Sequence, residues 1–218
     1  MPGIVGSAAV SRARATSIDV PDGDRWNNNI QLYGVVLDAL PPGARRVLDA
    51  GCGEGTLVRR LAAAVPDAVG LDRDAASLDQ ARAQGGGGRY VLGDLLAPPF
   101  PPGSFDAVST VTTLHHVGTG PGLAAMAALV RPGGVLAAVG VARARYPRDL
   151  PRDAAASVAV RLRRERWRNL WETPAPKVWP PDDDFRTTRR VVEAALPGAR
   201  FRRHLCWRWS VTWRKPGP

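Results

Sequence analysis

Cysteine is scarce in this chain: Cys52 and Cys206 are the only two, and three histidines accompany them. Two thiols cannot build a disulfide framework or a four-cysteine zinc site, and the histidines add no familiar ligand spacing. A reducing compartment and a protein without a resident metal are therefore expected. Lysine is nearly absent, with Lys177 and Lys215 alone among 30 basic residues. Long apolar runs are missing too, since each is broken by Arg, Asp, Gly or Pro before the roughly 18 residues of a membrane span. The N-terminus has no charged start followed by an apolar run, so a soluble, cytoplasmic protein is expected, with no membrane partner.

What is present fits one globular domain: 218 residues, 44% hydrophobic and 23% charged, enough for a sizeable core and too apolar for disorder throughout. A formal charge of +10 raises polyphosphate as a partner. The arginines, however, are spread along the chain. The densest group, Arg161, Arg163, Arg164, Arg166 and Arg168, fans around a helix axis as a solvated face does, so nucleic acid is disfavoured.

Residues 1–23 show no sustained period and read as a tail. From Trp26 to Leu40 the apolar positions Ile30, Tyr33, Val36, Leu37 and Leu40 recur at helical spacing until Pro41-Pro42-Gly43 stops them. Strands are expected over 45–50, 68–71, 90–92, 105–111 and 135–141, with helices over 56–65, 75–83 and 123–130 between them. That alternation implies an α/β fold with a parallel sheet, because parallel strands need crossover connections. Beyond residue 142 come a Pro- and Arg-rich stretch, a helix over 154–171, a loop over 174–184 and a helix to Leu196. The segments 201–206 and 209–213 then alternate at period two, as a terminal antiparallel hairpin would, for about seven strands in all.

Val47-Leu48-Asp49-Ala50-Gly51-Cys52-Gly53-Glu54-Gly55 leaves a strand and opens a helix, the context in which glycines admit a nucleotide to the backbone. No Gly-Lys-Ser/Thr follows, which excludes a Walker phosphate loop. The glycines are spaced by two, with Val58 where a further one could sit, which excludes the dinucleotide form. Asp72 ends the second strand, where a carboxylate can accept from adjacent ribose hydroxyls. Asp94 ends the third, on the same edge, where its oxygens can meet an exocyclic amino group.

With these residues, the chain over about 41–142 resembles the class I S-adenosylmethionine-dependent methyltransferases of the small-molecule type. The resemblance implies a Rossmann-like, seven-stranded, mostly parallel sheet with helices on both faces and a C-terminal antiparallel hairpin. It also implies S-adenosylmethionine as cofactor and S-adenosylhomocysteine as product. The turn Asp49, Gly51, Gly53 and Gly55 matches the family's holder of the methionine part, with Cys52 a small filler inside it. Asp72 matches the ribose-binding acid, and Asp94 with Leu95 the adenine contacts. Arg73 and Thr110 complete the candidate cofactor set. Leu114-His115-His116-Val117 and Leu129-Val130-Arg131-Pro132-Gly133-Gly134 are similar to segments common in the family's small-molecule members.

Methyl transfer needs alignment above all, and a hydroxyl nucleophile gains from a base of near-neutral pKa. His115 and His116, on the ligand edge, are the candidates for that base, whereas His204 falls within the hairpin. Asn28, Asn29 and Tyr33, on a helix that the family uses as a lid, and Thr112, with Thr113 beside it, are candidate substrate contacts. So are Trp167 and Trp171 in the inserted segment, where Trp179 also lies. The expected layout is a tail and lid helix over 1–40 and a methyltransferase domain over 41–218, with 143–184 inserted as the acceptor pocket. The expected acceptor is a small molecule, a natural-product hydroxyl or amine of secondary metabolism, and the protein a monomer or homodimer.

Two other readings stand beside this one. A methyltransferase acting on nucleic acid or protein would draw on the +10 charge, yet Thr110-Val111-Thr112-Thr113 occupies the place where amino-group methylases carry Asn/Asp-Pro-Pro-Tyr/Phe. A non-methylating protein on the same fold is the other, and the intact glycines argue against lost binding. A magnesium site is not expected, because the acids it would need are absent near His115.

Overall fold

The computed structural model of the protein describes residue 22, residues 25–166 and residues 180–217, with residues 162–166 given as backbone only. The expectations for most of the tail, for Trp167, Trp171 and Trp179, and for the side chains of Arg163, Arg164, Arg166 and Arg168 lie outside the described residues.

A 3-10 turn, Ile30–Leu32, runs into α1, Tyr33–Leu37. This is shorter than the helix expected over 26–40, because Asn27 Oδ1 accepts from the N–H groups of Asn29 and Ile30 at 2.8 Å each and so caps the turn several residues into the segment. The alternation then proceeds through β1 (Arg46–Ala50), α2 (Thr56–Ala62), β2 (Asp67–Asp72), α3 (Ala75–Ala83), β3 (Arg89–Leu92) and β4 (Phe105–Val111). It continues with α4 (Leu114–Val117), α5 (Thr119–Leu129), β5 (Val130–Val141), α6 (Leu150–Arg166), α7 (Phe185–Ala195), β6 (Arg200–Arg203) and β7 (Arg208–Arg214).

The seven strands form one sheet in the order β3-β2-β1-β4-β5-β7-β6. The first five named are parallel, with Val47 facing Ala68 on one side and Ala107 on the other, while β7 lies antiparallel between β5 and β6. The central parallel strands β1, β2, β4 and β5 are buried on both faces over most of their length, whereas the edge strands β3 and β6 stay partly exposed. On one face Leu123, Met126 and Leu129 of α5 and Val192 of α7 cover Leu48, Val108, Leu136 and Trp209. On the other, Leu57, Val58 and Leu61 of α2 and Leu78 of α3 cover Val47, Ala68 and Ala107. Leu48 and Val47, neighbours in sequence, thus serve opposite layers, as the period of two in a strand requires.

Several boundaries differ from the sequence expectation: β5 starts at Val130 rather than 135, α2 ends at Ala62 rather than 65, and α6 starts at Leu150 rather than 154. β6 ends at Arg203 rather than continuing to Cys206, because Cys206 and Trp207 take left-handed backbone (φ 58° and 60°) and turn the chain. The segment between β4 and the helix expected over 123–130, to which no element was assigned, folds as α4 and the beginning of α5. Gly118 (φ 85°) separates the two, and Pro121 sits in the first turn of α5, where a missing N–H is tolerated.

Candidate active site

The carboxyl ends of the parallel strands and the turn after β1 enclose a cleft of about 200 Å³. Its floor is the turn itself. The N–H groups of Gly51 and Cys52 donate to Leu71 O at 2.7 and 3.1 Å, which pins the turn to the tip of β2. Gly53 has φ +51°, and a Cβ built on it meets nothing within 4 Å, so its backbone lies open to the cleft where any side chain would intrude. Gly55 does a different job. A Cβ there would lie 2.5 Å from the Tyr90 hydroxyl, so this glycine lets α2 close on β3 and does not line the cleft.

Asp72, at the end of β2, accepts from Gly53 N at 2.7 Å on Oδ2 and from Asp74 N at 3.0 Å on Oδ1. Each carboxylate oxygen keeps acceptor capacity for a further donor. Asp94 follows β3 and accepts from Leu96 N at 2.9 Å, with buried Leu95 beside it on the cleft wall. Asp49 is buried at the end of β1 with the Ser109 hydroxyl 3.2 Å from its Oδ1. Burial pushes its carboxyl pKa up to about 8, the charge of Asp72 adds to the rise, and the Ser109 hydrogen bond opposes it.

The far wall is built from the β4–α4 connection and the N-terminal segment. Thr112 takes φ +57°, a left-handed conformation that costs a β-branched residue about 1–3 kcal/mol, and its N–H donates to Val139 O at 2.7 Å. Asn29 Nδ2 donates to Thr112 Oγ1 at 3.2 Å, while Arg208 Nε and Nη2 donate to Asn29 Oδ1 at 3.2 and 2.8 Å. The N-terminal segment, the β4 loop and the start of β7 are thus joined through one amide. Tyr33 is half-buried at the same wall, and the desolvation of its hydroxyl together with the nearby Asp49 carboxyl raises its pKa.

The two histidines part company in the structure. Their rings lie 4.0 Å apart on α4, but His116 lines the cleft and His115 does not. Burial and the charge of Arg73 lower the His116 pKa, with Asp72 opposing. Burial brings His115 down to about 4, helped by His116 and Arg208, and its Nδ1 is enclosed with no hydrogen-bond partner.

Of the residues singled out from sequence, Asp49, Gly51, Cys52, Gly53, Asp72, Arg73, Asp94, Leu95, Asn29, Tyr33, Thr112 and His116 meet at this cleft. Four do not. Thr110 is fully buried and donates to Ala50 O at 2.6 Å, tying β4 to β1, and Asn28 contacts the Gln31 side chain. Gly55 faces Tyr90, and His115 sits behind His116. Asn27, Glu54, Leu71 and Ser77 also line this wall without a sequence signal of their own, although Glu54 lies inside the glycine turn and Asn27 directly precedes Asn28 and Asn29. Arg208 carried no signal at all, being one arginine in a hairpin of alternating residues.

The chemistry of the wall suits a cationic sulfonium nucleoside. On a chain of net charge +10, the cleft gathers Asp49, Glu54, Asp72, Asp74 and Asp94 against one cation, Arg73, among the described residues that line it. A carboxylate at one strand tip, an apolar ledge at the next and an open glycine backbone between them match the sugar, ring and amino-acid portions of S-adenosylmethionine.

Comparison with known proteins agrees with this geometry. Residues 47–134 match the family model described as a methyltransferase domain. An uncharacterized methyltransferase of Mycobacterium tuberculosis strain H37Rv is 37% identical over 198 residues, spanning 88% of this chain and 98% of its own. The demethylmenaquinone methyltransferase of Roseiflexus castenholzii is 39% identical over 114 residues, spanning 50% of this chain and 48% of its own. Among solved structures, the 4+2 cyclase SpnF superposes with a TM-score of 0.63 at 14% identity over 92% of this chain and 86% of that one, a likeness of fold alone.

Proposed function

Since the chain belongs to the class I S-adenosylmethionine-dependent methyltransferases, whose cofactor is S-adenosylmethionine, we propose that it methylates a hydroxyl or amine of a small molecule in the cleft between Asp72 and His116. The observation that carries this reading is the acidic wall around the open backbone of Gly53. When bound, the cofactor supplies a methyl group on a sulfonium, ready for in-line attack. Asp49 and the Gly51–Gly53 backbone hold the amino-acid end, Asp72 accepts from the ribose hydroxyls, and Asp94 with Leu95 receives the adenine. Residues 25–40 close the cleft as a lid through Asn29 and Tyr33.

His116 is the base of this scheme. Its lowered pKa keeps the imidazole neutral at pH 7, so it can take the proton of an acceptor hydroxyl as the oxygen attacks. His115 lies against it with the two rings tilted by 40°, and holds the ring in place. No metal enters the scheme, and no group of three His, Cys, Asp or Glu side chains suited to an ion occurs among the described residues. The small-molecule acceptor draws support from the relative named demethylmenaquinone methyltransferase, whose match spans 50% of this chain.

The test is titration calorimetry with S-adenosylmethionine on the native chain and on Gly53→Arg, whose side chain would fill the floor. Tritiated-methyl transfer to a panel of phenols and amines, set against transfer RNA, DNA and casein, follows. No cofactor binding by the native chain ends the reading. Transfer to a polynucleotide alone ends its small-molecule half.

A further inference from the structure

Arg208 opens β7 and pairs with Val141, the last residue of β5, so it stands on the ligand edge of the sheet. Its guanidinium is partly buried. Nε–H and one Nη2–H go to Asn29 Oδ1, and one Nη1–H goes to Cys206 O at 2.7 Å. Both acceptors are neutral amide or carbonyl oxygens, which an uncharged donor could satisfy equally well. No carboxylate among the described residues pairs with it. Arg59 and Arg203, also drawn into the protein, behave differently, for Arg59 holds Asp22 at 2.6 Å and Arg203 holds Asp149 at 3.0 Å. A guanidinium withdrawn from water without a counter-charge carries a desolvation cost that neutral hydrogen bonds offset only in part. Burial accordingly draws its pKa down.

The order of the strands says where this charge lies relative to the cofactor. Asp94, Asp72 and Asp49 follow β3, β2 and β1 in spatial succession, so the adenine-to-methionine direction runs toward β4. Beyond β4 come Thr112 and His116, then β5, then Arg208 on β7. Arg208 does not line the cleft itself; it stands one layer behind the acceptor-side wall, a cation with which no carboxylate among the described residues pairs. It is joined to the cleft wall through Asn29 and Thr112, with the enclosed, unpartnered Nδ1 of His115 close enough to feel its charge.

We infer that Arg208 is the specificity-determining residue of the acceptor site and that the acceptor carries a carboxylate, which the guanidinium holds while a separate hydroxyl or amine faces the methyl group. This rests on the methyltransferase reading above. One flat cation with N–H bonds to spare matches a flat monoanion, whereas a doubly charged phosphate would leave a charge unbalanced. The carboxylate is a handle and stays unmodified.

The experiment uses the full chain loaded with S-adenosylhomocysteine, with benzoate and its uncharged analogue benzamide as probes. Affinity is followed by calorimetry and by the Arg208 Nε–H resonance in nitrogen-edited spectra. Native protein is expected to bind benzoate about tenfold or more tightly than benzamide and to shift the Arg208 resonance. Arg208→Gln should bring benzoate down to the benzamide level, and Arg208→Lys should recover part of the difference. Binding of S-adenosylhomocysteine by each variant reports that it has folded. Benzoate no tighter than benzamide on the native chain, including binding of neither, overturns the inference, as does unchanged benzoate affinity in a folded Arg208→Gln. Absence of S-adenosylhomocysteine binding by the native chain would instead strike the methyltransferase reading itself.

Discussion

The backbone N–H of Gly53 donates to Oδ2 of Asp72 over 2.7 Å, so the turn after β1 and the tip of β2 are one mechanical unit. The carboxylate proposed to hold the ribose is also the group that fixes the glycine proposed to admit the methionine tail. Two parts of a ligand are then read by one preassembled element, which lowers the ordering cost of binding.

Asp72→Ala should therefore lose more than its own contacts. Two charge-assisted hydrogen bonds of about 1.5–3 kcal/mol each, gone together, weaken S-adenosylmethionine binding by about 100-fold or more. Asp72→Asn keeps an acceptor for Gly53 and should fall between Ala and native. Calorimetry on the three proteins checks the order, and native-like affinity in the Ala variant would remove Asp72 from the site.

Asp49 gives the cleft a pH dependence of defined sign. Its folded pKa of about 8 lies above the ordinary aspartate value of 3.8, so between those values the empty folded protein holds a proton that the unfolded chain has lost. The stabilising contribution of that proton is complete below pH 3.8 and is lost as pH rises toward about 8. A ligand ammonium prefers the ionised carboxylate, so cofactor affinity should climb from pH 6 to 8 by up to about tenfold per unit, with proton release visible in buffers of different ionisation enthalpy. Asn at this position should raise the melting temperature at pH 8 while weakening the cofactor and flattening its pH profile. A lower melting temperature in Asp49→Asn at pH 8 would contradict this.

The histidine pair makes an asymmetric prediction, because only one ring reaches the cleft. His116→Ala should lower kcat by about 100-fold or more and leave cofactor affinity within a few-fold. His115→Ala should cost much less, acting only through the position of its neighbour. In the native enzyme the acid limb of kcat should lie below pH 6.5, since burial lowers the His116 pKa from that value. Equal turnover in the two variants would dismiss the imidazole base.

The parts of this site that could be read in advance are those governed by local rules. Asp49, Gly53, Asp72 and Asp94 each sit at a strand end, and an alternating pattern of strands and helices carries all strand ends to one edge. Arg208 could not be read that way. Its place depends on Cys206 and Trp207 adopting left-handed backbone, which cut β6 short, and on Asn29, distant in sequence, lying across the sheet to meet it. His115 and His116 show the same limit, because their rings lie against each other and only one of them lines the cleft, a choice the sequence does not reveal. The N-terminal helix is shorter than its periodicity suggests for a related reason: the apolar spacing is helical, but a side-chain cap from Asn27 decides where the turn begins.

The seat of Arg208 depends in turn on how closely β5 and β7 pack, and Gly140 controls that distance. The indole of Trp209 lies directly over it, donating Nε1–H to Val141 O at 3.1 Å, and a Cβ on Gly140 would stand 2.3 Å from Trp209 Cζ2. A rigid, fully buried ring stacked on Phe201 at 5.7 Å cannot swing aside. Gly140→Ala should destabilise the protein by about 1–3 kcal/mol through overpacking, or about 2–4 °C in Tm for each kcal/mol. Trp209→Phe alone should also destabilise, since it leaves a gap and an unpaired carbonyl. Combined, the two changes should cost less than their sum, because the smaller ring makes room for the new methyl group. Additive losses in a denaturant-unfolding double-mutant cycle would mean that the contact between ring and glycine does not set the spacing of these strands.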